Sequence, residues 1–105
     1  AGLGHKPMLL EFTADWCPNC KLMEATVLTD ERLRRLQARY GMELVRVDLT
    51  SANAYAVRLL DALGSKSIPL TALFPSGDAA VSPLVLRDVY GSETLERAMR
   101  NAFEN

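Results

Sequence analysis

Residues Met8 to Thr13 read Met-Leu-Leu-Glu-Phe-Thr, a largely apolar run interrupted by Glu11, and Ala14-Asp15-Trp16 leads from it into Cys17-Pro18-Asn19-Cys20. A short apolar run of this kind is the pattern of a central strand covered on both faces. Glu11 is then expected to be a buried carboxylate. Pro18 fits the first turn of a helix, where its missing N–H would have no partner. A helix is therefore predicted from Pro18 to about Leu28, with Cys17 at its N-terminus and Cys20 inside it.

The rest of the chain alternates in the same manner. Thr29 is an N-cap type followed by Asp30 and Glu31, and Leu33, Leu36 and Tyr40 share one helical face before Gly41. Leu44 to Leu49 sets Val45, Val47 and Leu49 against Arg46 and Asp48, the two-residue period of a strand. Ala56, Leu59, Leu60 and Leu63 repeat as one helix face ahead of a glycine stop at Gly64. Strands are expected at Leu70 to Phe74 and Leu84 to Val89, with Pro75-Ser76-Gly77-Asp78 as a turn between them. Ser92, read as an N-cap, opens a last helix with Leu95, Ala98, Met99 and Ala102 inward. The order β-α-α-β-α-β-β-α predicts an α/β fold: a central mixed sheet of about four strands flanked by helices. Its first two strands pair parallel and its last two antiparallel.

With 105 residues, 49% of them apolar, the chain is expected to form a single domain over residues 1–105. A monomer is expected. Twelve Lys and Arg are interspersed with thirteen Asp and Glu for a net charge of −1, which argues against nucleic acid as a partner. No apolar stretch is long enough to span a bilayer, so direct membrane insertion by this segment is not expected, and the start lacks the layout of a secretory signal. Ala1 to His5 reads as a flexible tail or the remnant of a cut-out piece, and His5 as a solvated residue of it.

Both cysteines lie in one four-residue motif and cannot form a scaffold of bridges, so they point to chemistry rather than architecture. A helix N-terminus favours the thiolate, the attacking species in disulfide exchange, which makes Cys17 the candidate nucleophile. Cys20, one turn along, is the candidate resolving thiol. A static bridge is the competing reading, but so short a loop removes little chain entropy and makes a poor staple. Zinc would need four ligands, which one Cys-x-x-Cys and the distant His5 do not supply, so neither a metal nor a bound cofactor is expected. Glu11 and Glu24, the latter four residues after Cys20, are candidates for tempering Cys17 and for proton transfer at Cys20; for Glu24 a solvated helix position is the alternative.

Ala14-Asp15-Trp16-Cys17-x-x-Cys20-Lys21, with Ile68-Pro69 ahead of a strand, Phe74-x-x-Gly77, and Gly91 before the last helix, resembles the thioredoxin superfamily. Within it, the pattern is most similar to the C-terminal thioredoxin-like domain of the bacterial DsbD family, and the likeness runs from about Lys6 to Phe103. Pro18-Asn19 departs from the family's usual pairs, so no redox potential is carried over. The resemblance implies a thioredoxin fold, an acidic residue acting at the position of Glu11, and a cis Pro69. With Ile68, Pro69 would dock an extended substrate, and Trp16, Pro18 and Asn19 would complete that surface. It also implies electron relay by dithiol–disulfide exchange between a membrane-embedded donor domain and a periplasmic acceptor, with a link to cytochrome c biogenesis. The expected location is periplasmic or extracytoplasmic, as part of a larger membrane protein. The alternatives are a free-standing thioredoxin-like reductase, cytoplasmic or lipid-anchored, and a non-catalytic binding or chaperone module with the same groove.

Overall fold

The computed structural model describes residues 6–51, 54–75 and 83–104. Its elements are β1 (Met8–Thr13), α1 (Pro18–Thr26), α2 (Asp30–Tyr40), β2 (Glu43–Asp48), α3 (Ala54–Ala62), β3 (Leu70–Phe74), β4 (Leu84–Arg87) and α4 (Ser92–Phe103). The strands form one sheet in the order β2-β1-β3-β4. β1 pairs parallel with β2 and β3 pairs antiparallel with β4, both as expected, and an antiparallel pairing of β1 with β3 joins the two halves.

Alternation along β1 divides the interior in two. Leu9 packs with Met23, Val27 and Leu28 of the α1 side, Leu33 and Leu36 of α2, and Leu95, Ala98 and Met99 of α4. Leu10 and Phe12 face the other way, onto Leu60 of α3 with Leu70 and Ala72 of β3. Leu9 and Phe12 are fully enclosed and Leu10 nearly so. Each such side chain contributes roughly 1.5–3 kcal/mol by leaving water, enough together to carry a carboxylate in the same strand despite its desolvation. Glu11 is accordingly only 2% exposed.

Thr29 caps α2 by accepting a hydrogen bond from the Arg32 N–H at 3.2 Å, and Gly41 ends the helix at φ 62°, both as expected. Gly64 follows α3 at φ 83°, in the left-handed region that favours glycine. Several boundaries differ from expectation. α1 stops at Thr26 rather than Leu28, because the Arg32 guanidinium takes over the carbonyls of Thr26 and Val27 at 3.0 and 2.8 Å. β2 runs one residue earlier than predicted. β4 stops at Arg87, because Asp88 turns to φ 62° and leaves the extended region. Gly91, not Ser92, is the N-cap of α4; its extended backbone occupies that position and no side chain caps the helix. The predicted tail and the turn residues Ser76, Gly77 and Asp78 lie outside the described residues.

The α1–α2 corner gives a stability test. Arg32→Ala frees the two carbonyls that the guanidinium holds, and should destabilise the fold by about 1–2 kcal/mol in urea unfolding. A change within experimental error would show that water satisfies those carbonyls equally well.

Candidate active site

The end of β1 delivers the chain to the N-terminus of α1. Cys17 is the N-cap of that helix, with extended backbone, and its Sγ accepts a hydrogen bond from the Cys20 N–H at 3.1 Å. Pro18 occupies the first turn, as its missing donor allows. Cys17 and Cys20 are joined as a disulfide with their Cα atoms 5.2 Å apart. Cys17 is 6% exposed and Cys20 1%, so the first sulfur lies nearer the surface. Ala14 packs beneath them, with Leu49 and Ile68 against the same cluster.

The residues expected to frame the pair fall into two groups. Trp16 is 63% exposed, which excludes a half-buried packing role, and Pro18 and Asn19 are also exposed. Ile68 is half-buried against the cysteine cluster and Pro69 is buried, and the bond between them is cis, as expected. The loop carrying this bond is braced. Ser65 Oγ donates to the Ser67 carbonyl at 3.0 Å and accepts from the Ser67 N–H at 3.2 Å, and the Pro69 carbonyl accepts from the Asp88 N–H at 2.9 Å.

Glu11 and Glu24 do not have a sulfur as hydrogen-bond partner among the described residues. The Arg46 Nε donates to Glu11 Oε1 at 3.1 Å, across the parallel register that sets these two residues side by side. Glu24 accepts from Thr13 Oγ1 at 2.5 Å and lies 3.5 Å from the Lys21 ammonium, which also reaches Asp15 at 3.3 Å. Glu24 is therefore a partnered, half-buried group rather than a freely solvated one. Burial pushes the Glu11 carboxyl up to about 7; Arg46 opposes that rise and the charge of Glu24 adds to it. Burial also pushes Glu24 upward, but the Thr13 hydroxyl, Lys21 and Arg46 outweigh it and hold the group below its ordinary value. One carboxyl thus stays charged while its neighbour exchanges a proton near neutrality, a separation that suits acid–base work.

Arg46, Thr13 and Tyr90 were not singled out from the sequence. Tyr90, which follows β4, shares a 2.6 Å hydrogen bond with Thr71 of β3, and burial, with the nearby Glu11 charge, raises the Tyr90 phenol far above its usual range. Arg46 becomes the neighbour of Glu11 through the register of the sheet: each is the fourth residue of its strand, and the two strands pair in step from their first residues.

The sequence pattern of the thioredoxin-like family matches residues 4–76. The chain belongs to the thioredoxin-like family. The thiol:disulfide interchange protein DsbD 1 of Pseudomonas aeruginosa is 35% identical over 98 residues, which cover 92% of this chain and 16% of that protein. DsbD of Campylobacter jejuni is 32% identical over 72 residues, 69% of this chain and 12% of that one. The chain thus spans less than a fifth of these relatives' length. The oxidised DsbD C-terminal domain of Neisseria meningitidis superposes with a TM-score of 0.65 at 26% identity, covering 91% of this chain and 80% of that structure. A thioredoxin-like chain with this fold and a Cys-x-x-Cys at the head of α1 is a thiol–disulfide oxidoreductase domain.

Proposed function

We propose that this domain relays electrons to partner proteins by dithiol–disulfide exchange, as one part of a larger membrane protein whose redox domain works on the periplasmic side. The observation that carries the reading is the Cys17–Cys20 disulfide at the N-terminus of α1, with Ile68 packed against the same cluster. Among the described residues no helix is long and apolar enough to cross a membrane, so any anchoring would belong to other segments.

In the reduced domain the Cys17 thiolate attacks one sulfur of the partner's disulfide. That S–S bond breaks, a mixed disulfide forms, and the partner's second sulfur leaves as a thiolate. Cys20 then gives up its proton and attacks Cys17 Sγ, which releases the partner's first sulfur as a thiolate. Two electrons pass to the partner, and its two thiolates take up protons. Another dithiol later restores the Cys17–Cys20 pair. Negative charge on Cys17 Sγ is met by the Cys20 N–H and the positive end of the helix. We assign Glu11 as proton acceptor for Cys20, supported by its proton affinity near neutrality, and Glu24 as the charged neighbour that raises that affinity. Trp16, Pro18, Asn19, Ile68 and Pro69 form the docking surface.

The test is a redox titration of the pair combined with partner capture on Cys20→Ser. The variant retains the attacking thiol and lacks the resolving one, so it should accumulate mixed disulfides that the parent resolves. A reduction potential near thioredoxin's, about −270 mV, supports electron donation, whereas one near −120 mV would reverse the direction.

A further inference from the structure

Between α3 and the loop leading into Pro69 lies a groove of about 670 Å³. Trp16, Leu49, Val57, Leu60 and Ile68 supply its apolar lining. Leu49 and Ile68 also pack on the Cys17–Cys20 cluster, so the groove is continuous with the redox pair. Its charged lining is Arg58, Asp61 and Lys66. Lys66 lies 3.8 Å from Asp61, and these two opposite charges offset each other. Arg58, on an exposed position of α3, has no ion-pair partner among the described residues.

We propose that this groove selects the partner: an extended segment whose cysteine exchanges with Cys17 lays an apolar side chain on Leu49 and Leu60 and sets an aspartate or glutamate against Arg58. The inference rests on the disulfide-exchange reading and adds the substrate's chemistry to it. An apolar trough alone would accept any hydrophobic segment, whereas a guanidinium at its rim favours one that also carries a carboxylate. The guanidinium fork suits a carboxylate in particular, because it can donate two parallel N–H bonds to it. Asp61 is already engaged by Lys66, so the lining as a whole carries a net positive charge toward the occupant.

The test uses the reduced domain and extended peptides, each with one cysteine held in a mixed disulfide with thionitrobenzoate and a leucine beside it. Within a few residues of the cysteine the series carries aspartate, asparagine or lysine. Each rate of thionitrobenzoate release is divided by the same protein's rate with 2-hydroxyethyl disulfide, which is small and uncharged. The aspartate peptides should react about threefold faster than the lysine peptides, in the range open to a partly exposed ion pair. Arg58→Gln should abolish that preference and Arg58→Glu should invert it. In roughly 1 M salt, where charges are screened beyond about 3 Å, the preference should disappear. Equal rates for acidic and basic peptides, or a preference that survives Arg58→Glu, would overturn the proposal. Failure to react with 2-hydroxyethyl disulfide would overturn the exchange reading itself and the groove's role with it.

Discussion

Replacing Cys17 with serine should lower catalysed disulfide reduction at least about a thousandfold while leaving the reduced protein's melting temperature unchanged or slightly higher. The two halves of this expectation come from one position. A serine hydroxyl is almost entirely protonated at neutral pH and cannot enter a disulfide, so no mixed disulfide forms and no electrons pass. The same hydroxyl is a strong helix N-cap. Cys17 already has that place, with its Sγ accepting the Cys20 N–H at 3.1 Å, and a serine oxygen can take over the bond. The comparison is made with the reduced parent so that loss of the bridge does not enter. Insulin reduction and thermal unfolding measured side by side check it. Residual turnover above about 0.1% of the parent would show that Cys20 can start the exchange, and a large fall in melting temperature would show that the sulfur is needed for packing.

The cysteine pair was legible because its chemistry is local: residue type, helix terminus and one-turn spacing are all written in a few adjacent letters. β1 and α2 were legible for a related reason, since the apolar period and the Thr29 and Gly41 caps are local as well. Boundaries were lost where the decisive partner lies elsewhere. Arg32 truncates α1 from the next helix. The carboxylate site shows the same division. A buried Glu11 follows from its setting in an apolar strand, but its Arg46 partner depends on the parallel register of two strands separated by two helices. Alternation along β2 marks Arg46 only as facing away from Val45 and Val47. The groove is less legible still. It is assembled from Trp16, α3 and the loop before Pro69, which no window of sequence brings together.

Glu11 should make the domain less stable as the pH rises through neutrality, and Glu11→Gln should remove that dependence. The carboxyl titrates near 4.5 in the unfolded chain and at about 7 in the fold, so between these values the folded state holds the extra proton. A group of this sign favours folding fully below about pH 4.5 and loses that contribution as pH rises through 7. The loss is on the order of 3 kcal/mol for a shift of this size. Glutamine keeps the shape of the protonated acid, and its carbonyl oxygen can still accept from Arg46, while it cannot ionise. Relative to the parent, the variant should therefore gain on the order of 3 kcal/mol between pH 4.5 and pH 8 in urea unfolding. The same variant tests the assignment to redox chemistry. If Glu11 acts on Cys17 as assigned, removing its negative charge should move the midpoint of Cys17 alkylation to lower pH, because that charge disfavours the thiolate. A flattened stability curve with an unmoved alkylation midpoint would leave Glu11 as a buried proton site held by Arg46 and would remove it from the exchange mechanism. A shift in both would tie the proton on β1 to the thiol on α1.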